Sequence, residues 1–224
     1  MPEIVIDDVA RRYGRRWALA HVQLRIEPGQ AWMLLGHNGS GKSTLLRCLA
    51  TAQRVHHGQI RYGGRNLWDN RSELREKISV LGHAPALYDD LSAMENLSVW
   101  AALGGFAGVD LGAALARVGL DPGRKEPVRA FSAGMRRRVA LARMLLKKPE
   151  LVLLDEPFTA LDPGGRELLI GVIRDLRDAG ATLVLATHLP KVAQAVAEHA
   201  VILDEGKVVF RGRVDELPPG LAFE

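Results

Sequence analysis

The stretch Gly36-His37-Asn38-Gly39-Ser40-Gly41-Lys42-Ser43-Thr44 leaves this chain few folds to choose from. It follows the apolar run Ala31-Trp32-Met33-Leu34-Leu35 and leads into Leu45-Leu46-Arg47-Cys48-Leu49-Ala50. That is the order of a buried strand, a glycine-rich turn and a helix, and the turn fits G-x-x-x-x-G-K-[ST] in full. Glycines let the backbone curl until successive N–H groups point inward, and the helix adds its positive N-terminal end. Such a loop suits a phosphate chain. Lys42 is expected to reach the β- and γ-phosphates, and the Ser43 hydroxyl to ligate Mg²⁺. The motif therefore implies a bound nucleoside triphosphate, and the remaining sequence bears on its use.

At 224 residues the chain has room for one compact domain with a sizeable core, and its 47% apolar and 25% charged residues are those of a globular protein. No run approaches 18 consecutive apolar residues, so no membrane span is expected, and Met1-Pro2-Glu3-Ile4, with no basic region followed by an apolar segment, leads to the expectation of no signal peptide. The single cysteine, Cys48, excludes an internal disulfide and a thiolate metal cluster, and is expected to be a small buried hydrophobe. A net charge of +4 comes from scattered arginines rather than a continuous block, so no nucleic-acid partner is expected.

Alternation predicts strands over 3–13 and 17–26, then the buried strand 31–35. A helix to about Ala52, a strand over 58–62, a short helix near 72–77 and a strand over 78–82 follow. From Tyr88 to Lys148 strand signals give way to amphipathic segments near 92–106, 110–119 and 132–147. Strands are expected again at 151–154, 182–186, 200–204 and 207–211, with helices at 163–179 and 190–198. The pattern predicts an α/β chain with a mainly parallel sheet, a core of about 1–83 and 149–224, and an inserted helical subdomain of about 84–148.

A second motif, Leu151-Val152-Leu153-Leu154-Asp155-Glu156, brings two carboxylates to the C-terminal end of an apolar strand, where open α/β sheets bind ligands. Asp155 is expected to hold Mg²⁺ through water, and Glu156 to polarise the water that attacks the γ-phosphate. Phe131-Ser132-Ala133-Gly134-Met135 opens a helix whose N-terminus suits a further anion.

The order of the phosphate loop, Ser132-Ala133-Gly134-Met135, Asp155-Glu156, Ala160-Leu161-Asp162 and Ala186-Thr187-His188 resembles the ATP-binding subunits of ABC transporters across essentially the whole chain. The resemblance implies a P-loop NTPase fold with a RecA-like core, an antiparallel β edge and the inserted helical subdomain. It implies ATP hydrolysis with Mg²⁺, a second copy of the chain as partner, transmembrane permease subunits, and a peripheral place on the cytoplasmic side of the cell membrane. Ser132, Ala133, Gly134 and Met135 match the signature that contacts ATP held by the other copy. Asp162 matches a residue at the dimer seam, His188 the switch histidine, and Tyr13 the aromatic residue that stacks on adenine.

Two departures stand out. His83 occupies the place of the usual glutamine in Gly82-His83-Ala84-Pro85, where it either approaches the metal or stays clear of it. Ala133 and Met135 replace the usual signature glycine and glutamine. Among subfamilies the chain looks most like the haem-exporter subunit of cytochrome c maturation. Export subunits for drugs or other small molecules are the alternative, and soluble ABC ATPases acting on ribosomes or DNA a more distant one. Docking of the permease is expected at about 84–106.

Overall fold

The computed structural model describes residues 2–159 and 161–218; Ala160, part of one expected motif, lies outside the described residues. In chain order the elements are β1 (Ile4–Tyr13), β2 (Arg16–Ile26), β3 (Ala31–Leu35), α1 (Lys42–Leu49), β4 (His57–Tyr62), β5 (Arg65–Asn66), α2 (Arg71–Lys77) and β6 (Ile78–Leu81). Three helices follow, α3 (Ala93–Gly104), α4 (Leu111–Arg117) and α5 (Ala133–Leu145). The chain continues through β7 (Leu151–Asp155), α6 (Pro163–Asp178), β8 (Thr182–Ala186), α7 (Pro190–Ala193), β9 (His199–Asp204) and β10 (Lys207–Arg213).

Two sheets result. The larger has the order β10-β9-β3-β8-β7-β6, parallel throughout except where β10 pairs with β9. The smaller, β2-β1-β4-β5, is antiparallel. Side chains of β3 alternate between two cores: Ala31, Met33 and Leu35 face the helical layer, Trp32 and Leu34 the layer of α1 and the small sheet. Val152 and Leu154 in β7 split from Leu151 and Leu153 in the same way. Both faces of the large sheet are covered, which is why β3 is apolar at every position and β7 and β8 are apolar but for Asp155 and Thr182 at their ends.

The stretch between β6 and β7 is helical, and its Leu97, Leu115, Val118, Phe131 and Val139 join the sheet's core on that side. Ser92 and Glu95 start α3 with a reciprocal capping box: the Ser92 amide donates to Glu95 Oε2 at 2.8 Å, and the Glu95 amide to Ser92 Oγ at 3.3 Å.

Two helices are shorter than their apolar patterns predict. α1 ends at Leu49 because the Ala52 amide turns back to the Arg47 carbonyl at 2.9 Å, with Thr51 in the left-handed region at φ 57°. Arg75 donates to both the hydroxyl and the carbonyl of Thr51 and holds that turn. α7 stops at Ala193, and the chain then loosens into turns until the Glu198 amide reaches the Ala31 carbonyl and begins the pairing of β9. Sheet register overrides helix periodicity there.

Candidate active site

β3 delivers the chain into a loop whose glycines are demanded by space as well as by backbone angle. A Cβ on Gly36 (φ 140°) would lie 2.1 Å from the Leu203 carbonyl oxygen, and one on Gly41 (φ 113°) 2.5 Å from that of Ala18. Inside the loop the Ser40 amide donates to the His37 carbonyl at 3.1 Å, while the Ser40 carbonyl accepts from Gly206 at 2.9 Å. Lys42 folds back over the loop and donates to the carbonyls of Gly36 (2.6 Å) and His37 (3.0 Å). Burial pulls its pKa down, and the Asp155 and Glu156 carboxylates oppose that shift.

Across the cavity, Ser43 Oγ donates to Asp155 Oδ1 at 3.0 Å, joining the first turn of α1 to the end of β7. The next residue, Glu156, takes a left-handed backbone (φ 49°), unusual for a residue with a side chain. Its amide donates to the Ala186 carbonyl at 2.9 Å, the last residue of β8. Its Oε2 accepts from the His188 amide at 3.3 Å and lies 2.8 Å from His188 Nδ1. Adjacent parallel strands thus present Asp155, Glu156 and His188 at one edge, beside the phosphate loop.

The cavity between the phosphate loop and the end of β7 holds about 380 Å³ and is lined by Asn38, Gly39, Gly41, Lys42, Ser43, Thr44, Arg47, His83, Asp155 and Glu156; His188 stands behind Glu156 and does not line it. His83, just past the end of β6, shares it with Ser43 and Asp155. Arg47, one helical turn beyond Ser43, also lines it and was not singled out in the sequence.

Other expected residues lie elsewhere. Ser132 caps α5 by accepting from the Met135 amide at 3.2 Å. Ala133 is the first residue of that helix, an ordinary position for alanine, and Met135 packs half-buried against the helical core. Asp162 caps α6 by accepting from Gly165 at 3.1 Å and faces Arg138 at 3.7 Å. Tyr13, at the end of β1, is 44% exposed, and its hydroxyl donates to Gln53. None of the signature residues, nor Tyr13 or Asp162, lines the cavity.

Arg137, like Arg47, is a residue beside the cavity that sequence reading missed. Arg137 is buried and its guanidinium donates to five main-chain carbonyls, those of Gly82, Pro157 and the cavity-lining His83, Asp155 and Glu156. A signal existed: Arg137 stands three, four and seven residues before Ala140, Leu141 and Met144, on a buried face of α5.

A protein-family model described as "ABC transporter" matches residues 19–159, from β2 to just beyond Glu156. The chain belongs to this family, as an ATP-binding subunit. The cassette is 37% identical to the daunorubicin resistance ATP-binding protein DrrA3 of Streptomyces coeruleorubidus, over 96% of its length and 69% of that protein's. It is equally 37% identical to the cytochrome c biogenesis ATP-binding export protein CcmA of Nitrosococcus oceani, over 84% and 86% of the two lengths. The lantibiotic transport ATP-binding protein SrtF of Streptococcus pyogenes is 33% identical over 94% and 90%. Among solved structures, the ATP-binding subunit of an ABC transporter superposes with a TM-score of 0.87 at 27% identity, covering 95% of this chain and 90% of that one. A dimeric bacterial ABC transporter cassette gives 0.86 at 25% identity, over 94% and 98%. The cassette is accordingly an ATPase whose hydrolysis is coupled to transport.

Proposed function

We propose that this cassette binds MgATP between two copies of itself and uses hydrolysis to reset a membrane permease that exports a small molecule. The observation that carries the dimer is the separation just described: the phosphate loop and the Asp155-Glu156 pair form one wall of a cavity, and the signature at Ser132 lies outside it. The dimeric cassettes among the structural neighbours support the same reading. In a head-to-tail pair, Ser132, Ala133, Gly134 and Met135 of one copy meet the nucleotide of the other, and Asp162 lies at the seam. Tyr13 stacks on adenine beside the loop.

Each wall residue then has a role. The amides of residues 36–44 and the Lys42 ammonium neutralise the phosphates. Ser43 and Asp155 would hold Mg²⁺, the latter through water. Their hydroxyl and carboxylate oxygens, 3.0 Å apart, suit an ion that takes few protein ligands and keeps water and phosphate oxygens for the rest. Bound Mg²⁺ supplies positive charge to the phosphate oxygens. Glu156 accepts the proton of the attacking water, His188 keeps that carboxylate oriented, and His83 takes the place of the usual glutamine beside the metal. ATP favours the closed pair, and its loss reopens it; the permease responds to the difference.

Among the described residues no helix is long and apolar enough to cross a membrane. The permease partner fits a groove of about 670 Å³ between β6 and α3, next to the loop after His83. Val80 (43% exposed) and Leu103 (70%) stand at its rim with Trp100, which Arg143 covers at 4.4 Å. A cassette docked there sits peripherally on the cytoplasmic face. Relatives of equal identity are named for different processes, daunorubicin resistance and cytochrome c biogenesis. Haem for cytochrome c biogenesis and a daunorubicin-like drug are therefore the two readings, and stimulation of the reconstituted complex by one or the other separates them.

The decisive experiment on the site is Glu156→Gln. ATP binding is kept, turnover is nearly abolished, and a dimer accumulates with ATP in size-exclusion chromatography. Wild-type turnover in this variant would remove Glu156 from the role of base.

A further inference from the structure

We propose that Arg137 is a positioning residue for hydrolysis, one that ties the helix capped by Ser132 to the backbone of Glu156 and to the loop carrying His83. The inference rests on the reading of Glu156 as the base and adds a residue that acts through it.

The geometry is specific. Arg137 Nε donates to the Pro157 carbonyl at 3.0 Å. One terminal nitrogen reaches the Asp155 and Glu156 carbonyls at 3.0 and 2.7 Å. The other reaches those of Gly82 and His83 at 3.4 and 3.3 Å. All five acceptors are main-chain oxygens, and they come from the ends of β6 and β7, which are neighbours in the sheet. A planar fork of donors is the one side-chain group able to serve both chain ends at once.

Burial makes the arrangement expensive to hold and expensive to break. Arg137 is 8% exposed, and desolvation lowers its pKa against the opposing charges of Asp155 and Glu156. What the guanidinium holds is itself strained: Glu156 stands at φ 49°, clamped on its amide side by Ala186 and on its carbonyl side by Arg137. Without the second clamp the peptide after Glu156 is free to rotate toward an ordinary conformation, and the carboxylate swings away from His188. Arg137 lies five residues after Ser132 on the same helix, so a shift of α5 is passed directly to the carbonyls of Glu156 and His83.

The test compares Arg137→Ala and Arg137→Lys in the 224-residue chain, with ATP hydrolysis and equilibrium ATP binding measured separately. Lysine keeps the charge but cannot span both chain ends, so it also carries the test if the alanine variant fails to fold. Both variants should lose kcat on the order of tenfold to a hundredfold, the cost of a misplaced catalytic group, while Kd for ATP stays unchanged. Millimolar guanidinium chloride, but not urea, should restore part of the turnover of Arg137→Ala by entering the vacated space. Unchanged kcat, or loss of kcat and ATP binding together without rescue, would overturn the proposal. Glu156→Gln is measured alongside. If it hydrolyses normally, the base assignment fails; if it is inactive while the Arg137 variants turn over normally, only the positioning role fails.

Discussion

His188 Nδ1 lies 2.8 Å from Glu156 Oε2, and the His188 amide donates to the same oxygen at 3.3 Å. Two contacts from the residues after β8 thus fix a carboxylate that emerges from β7. Groups that act as a unit do not lose activity additively. His188→Ala should lower kcat roughly a hundredfold, in the range of a positioned acid–base group. The double variant with Glu156→Gln should then be scarcely slower than Glu156→Gln alone. Multiplicative losses in single-turnover measurements would show that the two side chains act separately.

Lys42 donates to the loop carbonyls of Gly36 and His37 at 2.6 and 3.0 Å, which holds its ammonium over the loop. Lys42→Ala removes a charged donor whose loss costs about 1.5–3 kcal/mol, or roughly tenfold to a hundredfold in Kd for ATP. Titration with a fluorescent ATP analogue measures this directly. Undiminished affinity would contradict the phosphate-loop assignment.

His83 lines the cavity together with Ser43 and Asp155. His83→Ala should lower kcat roughly tenfold to a hundredfold, the range of a positioned group beside the reacting centre, and His83→Gln should keep most of the turnover. Unchanged kcat in His83→Ala would leave His83 outside the reaction.

Cys48 is buried in the layer between α1 and the small sheet, and burial raises its thiol pKa from 9.0 to about 11 against the charge of Arg11. At pH 8 the folded chain should resist thiol reagents and react only on unfolding. The folded pKa is raised, so this thiol's stabilising contribution is complete below pH 9.0 and is lost as pH rises through about 11. Urea midpoints measured across that interval should fall more steeply for the natural chain than for Cys48→Ala.

Leu103 is 70% exposed at the rim of the groove beside β6. Leu103→Asp should leave folding stability within about 0.5 kcal/mol, as exposed substitutions do, and leave basal hydrolysis intact. Co-purification with permease subunits should be lost. A complex that survives Leu103→Asp and Val80→Asp together would place docking elsewhere.

Much of the fold was legible because its signals are local. The five residues of β3, the glycines after them and the cap of α5 at Ser132 each depend on a few consecutive positions. The two helices that ended early mark where locality stops. The apolar pattern of 190–198 continues past Ala193, but the Glu198 amide is taken by Ala31 from another strand. No window of sequence contains that competition.

The same division runs through the site. The sequence by itself determined the glycine-rich turn between strand and helix at residues 36–44 and put Asp155 and Glu156 at a strand end, because each is a run of neighbouring residues with one backbone solution. Tertiary structure alone decided that His83 lines one cavity with Ser43, that Glu156 adopts φ 49° beside His188, and that Arg137 bonds to both chain ends. Those relations arise from the register of β6 against β7 and β7 against β8, and from how α5 packs below them. Contacts between residues far apart in the chain are set by packing rather than by pattern.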